Sequence, residues 1–360
     1  MATSVKKRGM ELSVESLRKA LTTLRPAVSG RTATPILQSV LLADGAVEAT
    51  DLEMRVTVPV EGVEGDIVLP YERLRSILAN VTVDEIAFRL DDSRCHIAAG
   101  SGKWILPTAD ALEFPRAADV TTTAIARLPA DQFVTMASTV ISVPDKNESK
   151  FSGVLVEFAD GTLSLVATDG RRLAVADCEI DQATDDASAF VPKRAIDALM
   201  LAASGRDVVQ LETTGAEFVA TADDTRICAS LLSARFPSWR SFEADHDTAP
   251  TFVSAGELLA ACSMAAVCTS DTSRGTRWTI APKGITLRAT SAECGESVAV
   301  CSIAECGQEC SFTVNPRYAI EWLETVDPTE TVSIEAKDAD SGIMLRSETS
   351  RVTIMPLSSE

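Results

Sequence analysis

Apolar positions along this chain follow two rhythms that alternate three times. The segments LSVESLRKALTTLRPAV (12–28), LPADQFVTMASTVISVP (128–144) and FVSAGELLAACSMAAVC (252–268) carry apolar residues at roughly helical spacing. Ser13, Asp131 and Ser254 stand where N-caps belong, so each third is expected to begin with a helix. A polar loop containing cations then leads into alternating strands, which close on a shared grammar of Gly, alternating apolar residues and Ala-Thr-Asp/Ser: GAVEATD from Gly45, GTLSLVATD from Gly161 and GITLRATS from Gly284. A second set of helices is predicted in VLPYERLRSILANV (68–81), FVPKRAIDALMLAA (190–203) and FTVNPRYAIEWLETV (312–326). These open near Pro70, Pro192 and Pro316, because proline is tolerated in a helix's first turn and not deeper. Two or three further strands finish each third.

Counted from Ala49, Ala167 and Ala289, the copies lie 118 and then 122 positions apart, and Phe114-Pro115 and Phe236-Pro237 repeat the spacing of 122. That period is too long for a solenoid, whose units of about 20 to 45 residues cannot fold alone. Two helices and about eight strands can enclose a core of their own, and 360 residues suit three domains of roughly 100 to 150 each. The expected class is therefore α+β, with three tandem copies of a two-helix, antiparallel-sheet domain over residues 1–124, 125–246 and 247–360. The divisions fall near 120–127 and 243–250, where the apolar periodicity lapses.

Composition narrows the setting. Apolar residues make up 46% of the chain, yet no run of about 18 of them is uninterrupted, so no membrane span is expected. The start, MATSVKKRGM, is cationic without a following apolar stretch, unlike a secretory leader. Nine cysteines at irregular positions point to a reducing cytoplasm. Cys294, Cys301, Cys306 and Cys310 are the nearest approach to a zinc set, but they include no CxxC pair, and His96 and His246 are remote, so no metal is expected. A formal charge of −19 argues against a generally basic nucleic-acid-coating surface and leaves a local basic face open.

Reactive chemistry is sparse. Two histidines without a neighbouring nucleophile, and no GxxxxGK[ST] or GxGxxG motif, leave no catalytic centre and no cofactor site to name. The acid pairs Asp91-Asp92, Asp185-Asp186 and Asp223-Asp224 sit in turn contexts. Asp51 and Asp169 recur after equivalent strands and give way to Ser291 in the third copy, which suits turn formation better than catalysis. At this point the open readings are a monomeric scaffold or ligand-binding protein and an enzyme.

The threefold repeat, VATDGRRLAV (166–175), SGRTATPIL (29–37), RFPSWR (235–240) and the terminal TIMPL (353–357) together resemble the bacterial DNA polymerase III β subunit, the sliding clamp family, over nearly the whole chain. The chain departs from it in a few extra N-terminal residues, Arg171 where many members carry His, and a tail running on as Ser358-Ser359-Glu360. The resemblance implies a head-to-tail homodimer closing as a six-domain ring around double-stranded DNA. The implied partners are the polymerase III catalytic subunit, an ATP-driven clamp loader and repair polymerases, which bind through short apolar peptides. It maps the peptide site onto Phe151, Thr168, Gly170, Arg171, Arg172, Leu173, Thr353, Met355, Pro356 and Leu357, with the arginines available for a polar or C-terminal group. The other reading of VATDGRRLAV is a plain hairpin whose arginines are solvated. The dimer face maps onto Trp104 and Leu106 against Val267 and Cys268, the alternative for Trp104 being a core position. Cations recur after the first helices and at the start of the second ones. They make Arg31, Arg73, Lys150, Lys193, Arg194 and Arg277, with Arg25, Lys146, Arg274 and Arg317 beside them, a candidate DNA-facing set; solvated helix faces are the alternative.

Overall fold

The computed structural model describes residues 9–91, 93–116, 121–144, 150–180, 185–242, 248–270 and 274–357. Asp92, Lys146, His246, parts of both expected division segments and the last three residues lie outside the described residues. One element order is written three times. The first copy runs β1 (Gly9–Ser13), α1 (Val14–Leu24), β2 (Ser39–Ala43), β3 (Ala46–Thr50), β4 (Met54–Pro59), β5 (Ile67–Pro70), α2 (Tyr71–Asn80), β6 (Glu85–Asp91), β7 (Arg94–Ala99) and β8 (Gly102–Pro107). The second runs β9 (Thr123–Pro129), α3 (Ala130–Val140), β10 (Gly153–Ala159), β11 (Thr162–Thr168), β12 (Arg172–Glu179), β13 (Ala187–Pro192), α4 (Lys193–Ala203), β14 (Val208–Thr213), β15 (Glu217–Ala222) and β16 (Thr225–Ser230). The third runs β17 (Thr251–Ser254), α5 (Ala255–Ala266), β18 (Thr276–Ala281), β19 (Gly284–Ser291), β20 (Gly295–Cys301), β21 (Cys310–Val314), α6 (Pro316–Leu323), β22 (Thr331–Glu335), β23 (Ile343–Arg346) and β24 (Ser350–Ile354). The fold is α+β and its sheets are antiparallel.

Two sequence expectations need correction. Each copy opens with a short strand rather than a helix: Leu12, Leu128 and Phe252 belong to β1, β9 and β17, where period-two burial ends before the helical stripe begins. The helices are correspondingly shorter. Ser13 caps α1 by accepting from the Ser16 N–H, whereas Asp131 lies inside the first turn of α3, accepting from Gln132. The N-cap position of α5 is Ser254, but its hydroxyl turns away to the Pro328 carbonyl. The prolines behave as expected. Pro70 is the N-cap of α2, Pro192 immediately precedes α4, and Pro316 is the first residue of α6, capped by the Asn315 side chain.

Tertiary contacts divide the chain into two units, 1–133 with 194–231, and 134–193 with 232–360. In the first, a four-stranded sheet β1-β6-β7-β8 accompanies an eight-stranded sheet β5-β2-β3-β4-β16-β15-β14-β9. Leu17, Ala20, Leu21 and Leu24 form the buried stripe of α1. Arg18 on the same helix donates to the Leu78 and Val81 carbonyls at the end of α2, satisfying acceptors that a helix C-terminus leaves open. The second unit holds the eight-stranded sheet β13-β10-β11-β12-β24-β23-β22-β17 and the four-stranded sheet β20-β19-β18-β21. Each large sheet joins half of one copy to half of the next, which is why the contact division cuts through the second copy.

Candidate peptide-binding pocket

The hairpin of β11 and β12 supplies the core of the site. Thr168 Oγ1 donates to the Arg172 carbonyl at 2.8 Å and accepts from the Gly170 N–H at 3.1 Å, while Asp169 Oδ1 accepts from the Arg171 and Arg172 N–H groups, both at 2.9 Å. Asp169 is thus a turn former. The turn puts Gly170 at φ +81°, a left-handed conformation suited to glycine. The same hydrogen bonds recur at Thr50, Asp51 and Met54, and a hydroxyl version occurs at Thr213, Thr214 and Glu217.

The two arginines part company. Arg171 is exposed. Arg172, 7% exposed, meets Asp169 at 3.1 Å and Glu321 at 2.7 Å, donates to the Ser142 carbonyl at 3.2 Å, and lies 4.5 Å from the centre of the Tyr318 ring. Its guanidinium is committed to structural partners, so only Arg171 is placed to offer charge to a ligand, a correction to the expectation for both.

Beside this turn lies a cavity of about 200 Å³, lined by Phe151, Thr168, Gly170, Arg171, Arg172, Leu173, Phe236, Pro237, Trp239, Phe242, Thr353 and Met355. Its apolar floor is explained by register. Leu155 faces Val166 across β10 and β11, Val166 faces Val175 across β11 and β12, and these pack with Leu173 and Trp239 as one buried cluster. Thr353 pairs with Leu173, and the Met355 N–H donates to the Arg171 carbonyl at 2.8 Å, which brings the tail to the cavity's edge. Pro356 and Leu357 do not line it: the Leu357 N–H donates to the Thr313 carbonyl, so the chain has turned away. Sequence reasoning missed Phe236, Pro237, Trp239 and Phe242 as walls. The RFPSWR segment was visible as a repeat marker, but nothing local says that it folds back over the hairpin.

The first copy lacks this apolar floor. Hairpin register puts Glu48, Arg55 and Thr57 where the second copy has Val166, Leu173 and Val175. Arg55 pairs with Glu48 and donates to the Pro115 carbonyl, and Thr57 donates to the other Glu48 oxygen. A partly buried polar network therefore fills the equivalent space.

The remaining candidates are scattered. Arg31, Arg73 and Lys150 are exposed, Lys193 is half-buried at the start of α4, and Arg194 is held by Asp51 and Glu53. Arg277 is on strand β18 and not on a loop after a helix, because the alternation of that strand turns it to the solvent face. Trp104 and Leu106 are half-buried on one side of β8, while Ile105, missed in the sequence, is 56% exposed on the other. Val267 is 74% exposed just past α5 and Cys268 is half-buried; Met264, Val298 and Val300 extend this exposed apolar set. Among the described residues no group of three or more His, Cys, Asp or Glu is placed to hold a metal, and no helix is long and apolar enough to cross a membrane.

Comparison with known proteins agrees with this architecture. Residues 128–238 match the family described as DNA polymerase III beta subunit, central domain. The chain is 27% identical to the beta sliding clamp of Proteus mirabilis over 359 residues, spanning 95% of this chain and 98% of that one, and 26% identical to that of Escherichia coli K12 with the same coverage. Solved structures with the same fold include a sliding clamp of Pseudomonas aeruginosa bound to griselimycin (TM-score 0.90, 21% identity, 98% of this chain and 100% of that one). The sliding clamp of Bacillus subtilis is also similar (TM-score 0.88, 18% identity, 99% and 100%). With its threefold element order and its match along nearly its full length, the chain is similar to the bacterial β sliding clamps, and residues 128–238 carry the central domain of the DNA polymerase III β subunit.

Proposed function

We propose that two copies of this chain join head to tail into a ring around duplex DNA and tether a replicative polymerase, conferring processivity without catalysing a reaction. The family is that of a non-catalytic sliding clamp in DNA replication. The observation that carries the ring is a pair of incomplete sheets. The last strand of the second copy, β16, pairs with the fourth strand of the first, β4; the last strand of the third, β24, pairs with the fourth of the second, β12. Extending the rule one step pairs β8 with β20 of another molecule, and among the described strands each of these has a neighbour on one side only. Carrying over the β4–β16 register sets Ile105 opposite Glu296 of the partner subunit and Lys103 opposite Val298 of the partner subunit, exposed positions against exposed positions. Exposed apolar edges of this kind need a partner.

Size supports two chains. A domain of about 120 residues has a radius of gyration near 14 Å, hence a diameter of roughly 35 Å. Three such bodies leave little room at their centre, whereas six leave a hole of about their own width, and a heterologous contact whose rotation closes makes a ring. Light scattering at micromolar concentration is expected to give twice the 38.2 kDa chain mass. Ile105→Glu combined with Val300→Glu is expected to give a folded monomer. A monomeric wild type, or a dimer that persists in the variant, overturns the ring.

The three copies are read as domains at 1–124, 125–246 and 247–360. The cavity beside Gly170 takes short apolar peptides from the polymerase III catalytic subunit, the clamp loader and repair polymerases, its Leu173 and Met355 walls being adaptable. Arg31, Arg73, Lys150, Lys193 and Arg277 contact DNA phosphates without sequence preference, with Arg194 a weaker member because of its carboxylate partners. The working compartment is the cytoplasm.

A further inference from the structure

We propose that the pocket is the apolar half of a two-part site, and that a cationic cleft sharing its Phe236-to-Trp239 wall takes an acidic residue flanking the docked peptide, with Arg235 as its partner. This rests on the reading of the cavity as a peptide site. Phe236, Pro237 and Trp239 line both the pocket and a second cleft of about 500 Å³. The two differ in chemistry: the second adds Arg235, Arg240, Glu157 and Ser188. Among the described residues Glu157 is its single carboxylate and is already engaged, accepting from Trp239 Nε1 at 3.3 Å and pairing with Arg240 at 2.7 Å. Arg240 in turn lies 4.3 Å from the centre of the Trp239 ring. That leaves Arg235, exposed and without an ion pair among the described residues, as the uncompensated charge of the cleft.

The wall itself is braced. Trp239 is anchored by Glu157 and covered by Arg240, and Phe236 meets Phe190 edge-on at 5.2 Å. A peptide crossing it therefore meets a preorganised surface. The acidic chain as a whole repels an acidic peptide. An unpaired arginine next to the apolar pocket offsets that repulsion locally, and the result is a preference for acidic over basic flanks. An exposed ion pair of this kind corresponds to about a three- to fivefold gain in affinity, screened away at high salt.

Fluorescence anisotropy on the full chain tests this with labelled peptides sharing a Leu-Leu-Phe core. The flanks are neutral serines, an Asp pair on the N-terminal side, an Asp pair on the C-terminal side, or Lys pairs. One of the two Asp placements is expected to bind about three- to fivefold tighter than the neutral peptide in low salt and equally in high salt. Arg235→Glu is expected to abolish that gain and favour the Lys-flanked peptide, while Arg171→Glu, on the pocket side, leaves the gain in place. Equal affinity for all flanks, or loss of the preference in Arg171→Glu alone, overturns the second cleft and leaves the pocket standing. If no peptide of the series binds, the pocket reading falls and the cleft falls with it.

Discussion

Leu52 and Gly170 occupy the same place in two copies of one turn, at φ +78° and φ +81°. Left-handed backbone costs a residue with a Cβ about 1–2 kcal/mol, while glycine's extra freedom in the unfolded chain costs about 0.5–1 kcal/mol. Leu52 is 65% exposed, so it recovers little through burial. Leu52→Gly is expected to raise the urea midpoint by a gain of up to about 1 kcal/mol, and a lowered midpoint would show that the turn is not strained. Thiols give a second prediction at this scale. Burial pushes Cys95 and Cys301 up to about 11 and Cys262 higher still, while Cys294 is exposed. Iodoacetamide at pH 8 is expected to label Cys294 in the folded protein and to spare the other three until denaturant is added, as read by peptide mass mapping. The folded state holds these protons more tightly than the unfolded state. Their contribution to stability is therefore complete below about pH 8.5 and lost as the pH climbs toward 11.

Elements decide what the pocket is made of. Strand β24 contributes five register pairs with β12, and only after them does the chain supply Met355 as a wall and the Leu357 bond to Thr313. Deleting residues 355–360 is expected to weaken an apolar peptide at least about tenfold, since a wall side chain and its backbone tie go together. The dimer is expected to survive, because β8 and β20 are untouched. Unchanged peptide affinity in the truncated protein would place the site elsewhere. The helical and strand rhythms were legible at this scale, including the proline junctions. The opening strands were not, because four to seven extended residues adjoining a helical stripe read as its first turn.

For the whole molecule the acidic balance, 33 cationic against 52 anionic side chains, makes any hold on DNA local and dependent on salt. Arg31 and Arg73 are exposed and, among the described residues, lack carboxylate partners like those that tie Arg194, so they are the better test of a DNA-facing surface. Arg31→Glu with Arg73→Glu is expected to weaken binding to short duplexes at low salt. The slope of log affinity against log salt should flatten by about 0.9 for each phosphate contact removed. An unchanged slope would move the DNA contacts to other residues.

Repetition, helix positions, turn chemistry and the absence of a catalytic motif were all determined by the sequence, because each depends on spacing within a few residues or on a period of about 120 that the chain displays three times. The Asp169 turn was readable from Asp-Gly alone. Pairings across long separations were decided by the tertiary structure: β4 with β16, β12 with β24, and the Phe236-to-Trp239 segment folded over the hairpin. So was the division of labour between the adjacent arginines. Arg171 and Arg172 are chemically identical in the sequence, and only the strand's alternation, which turns Arg172 inward to Asp169 and Glu321, leaves its neighbour exposed at the pocket.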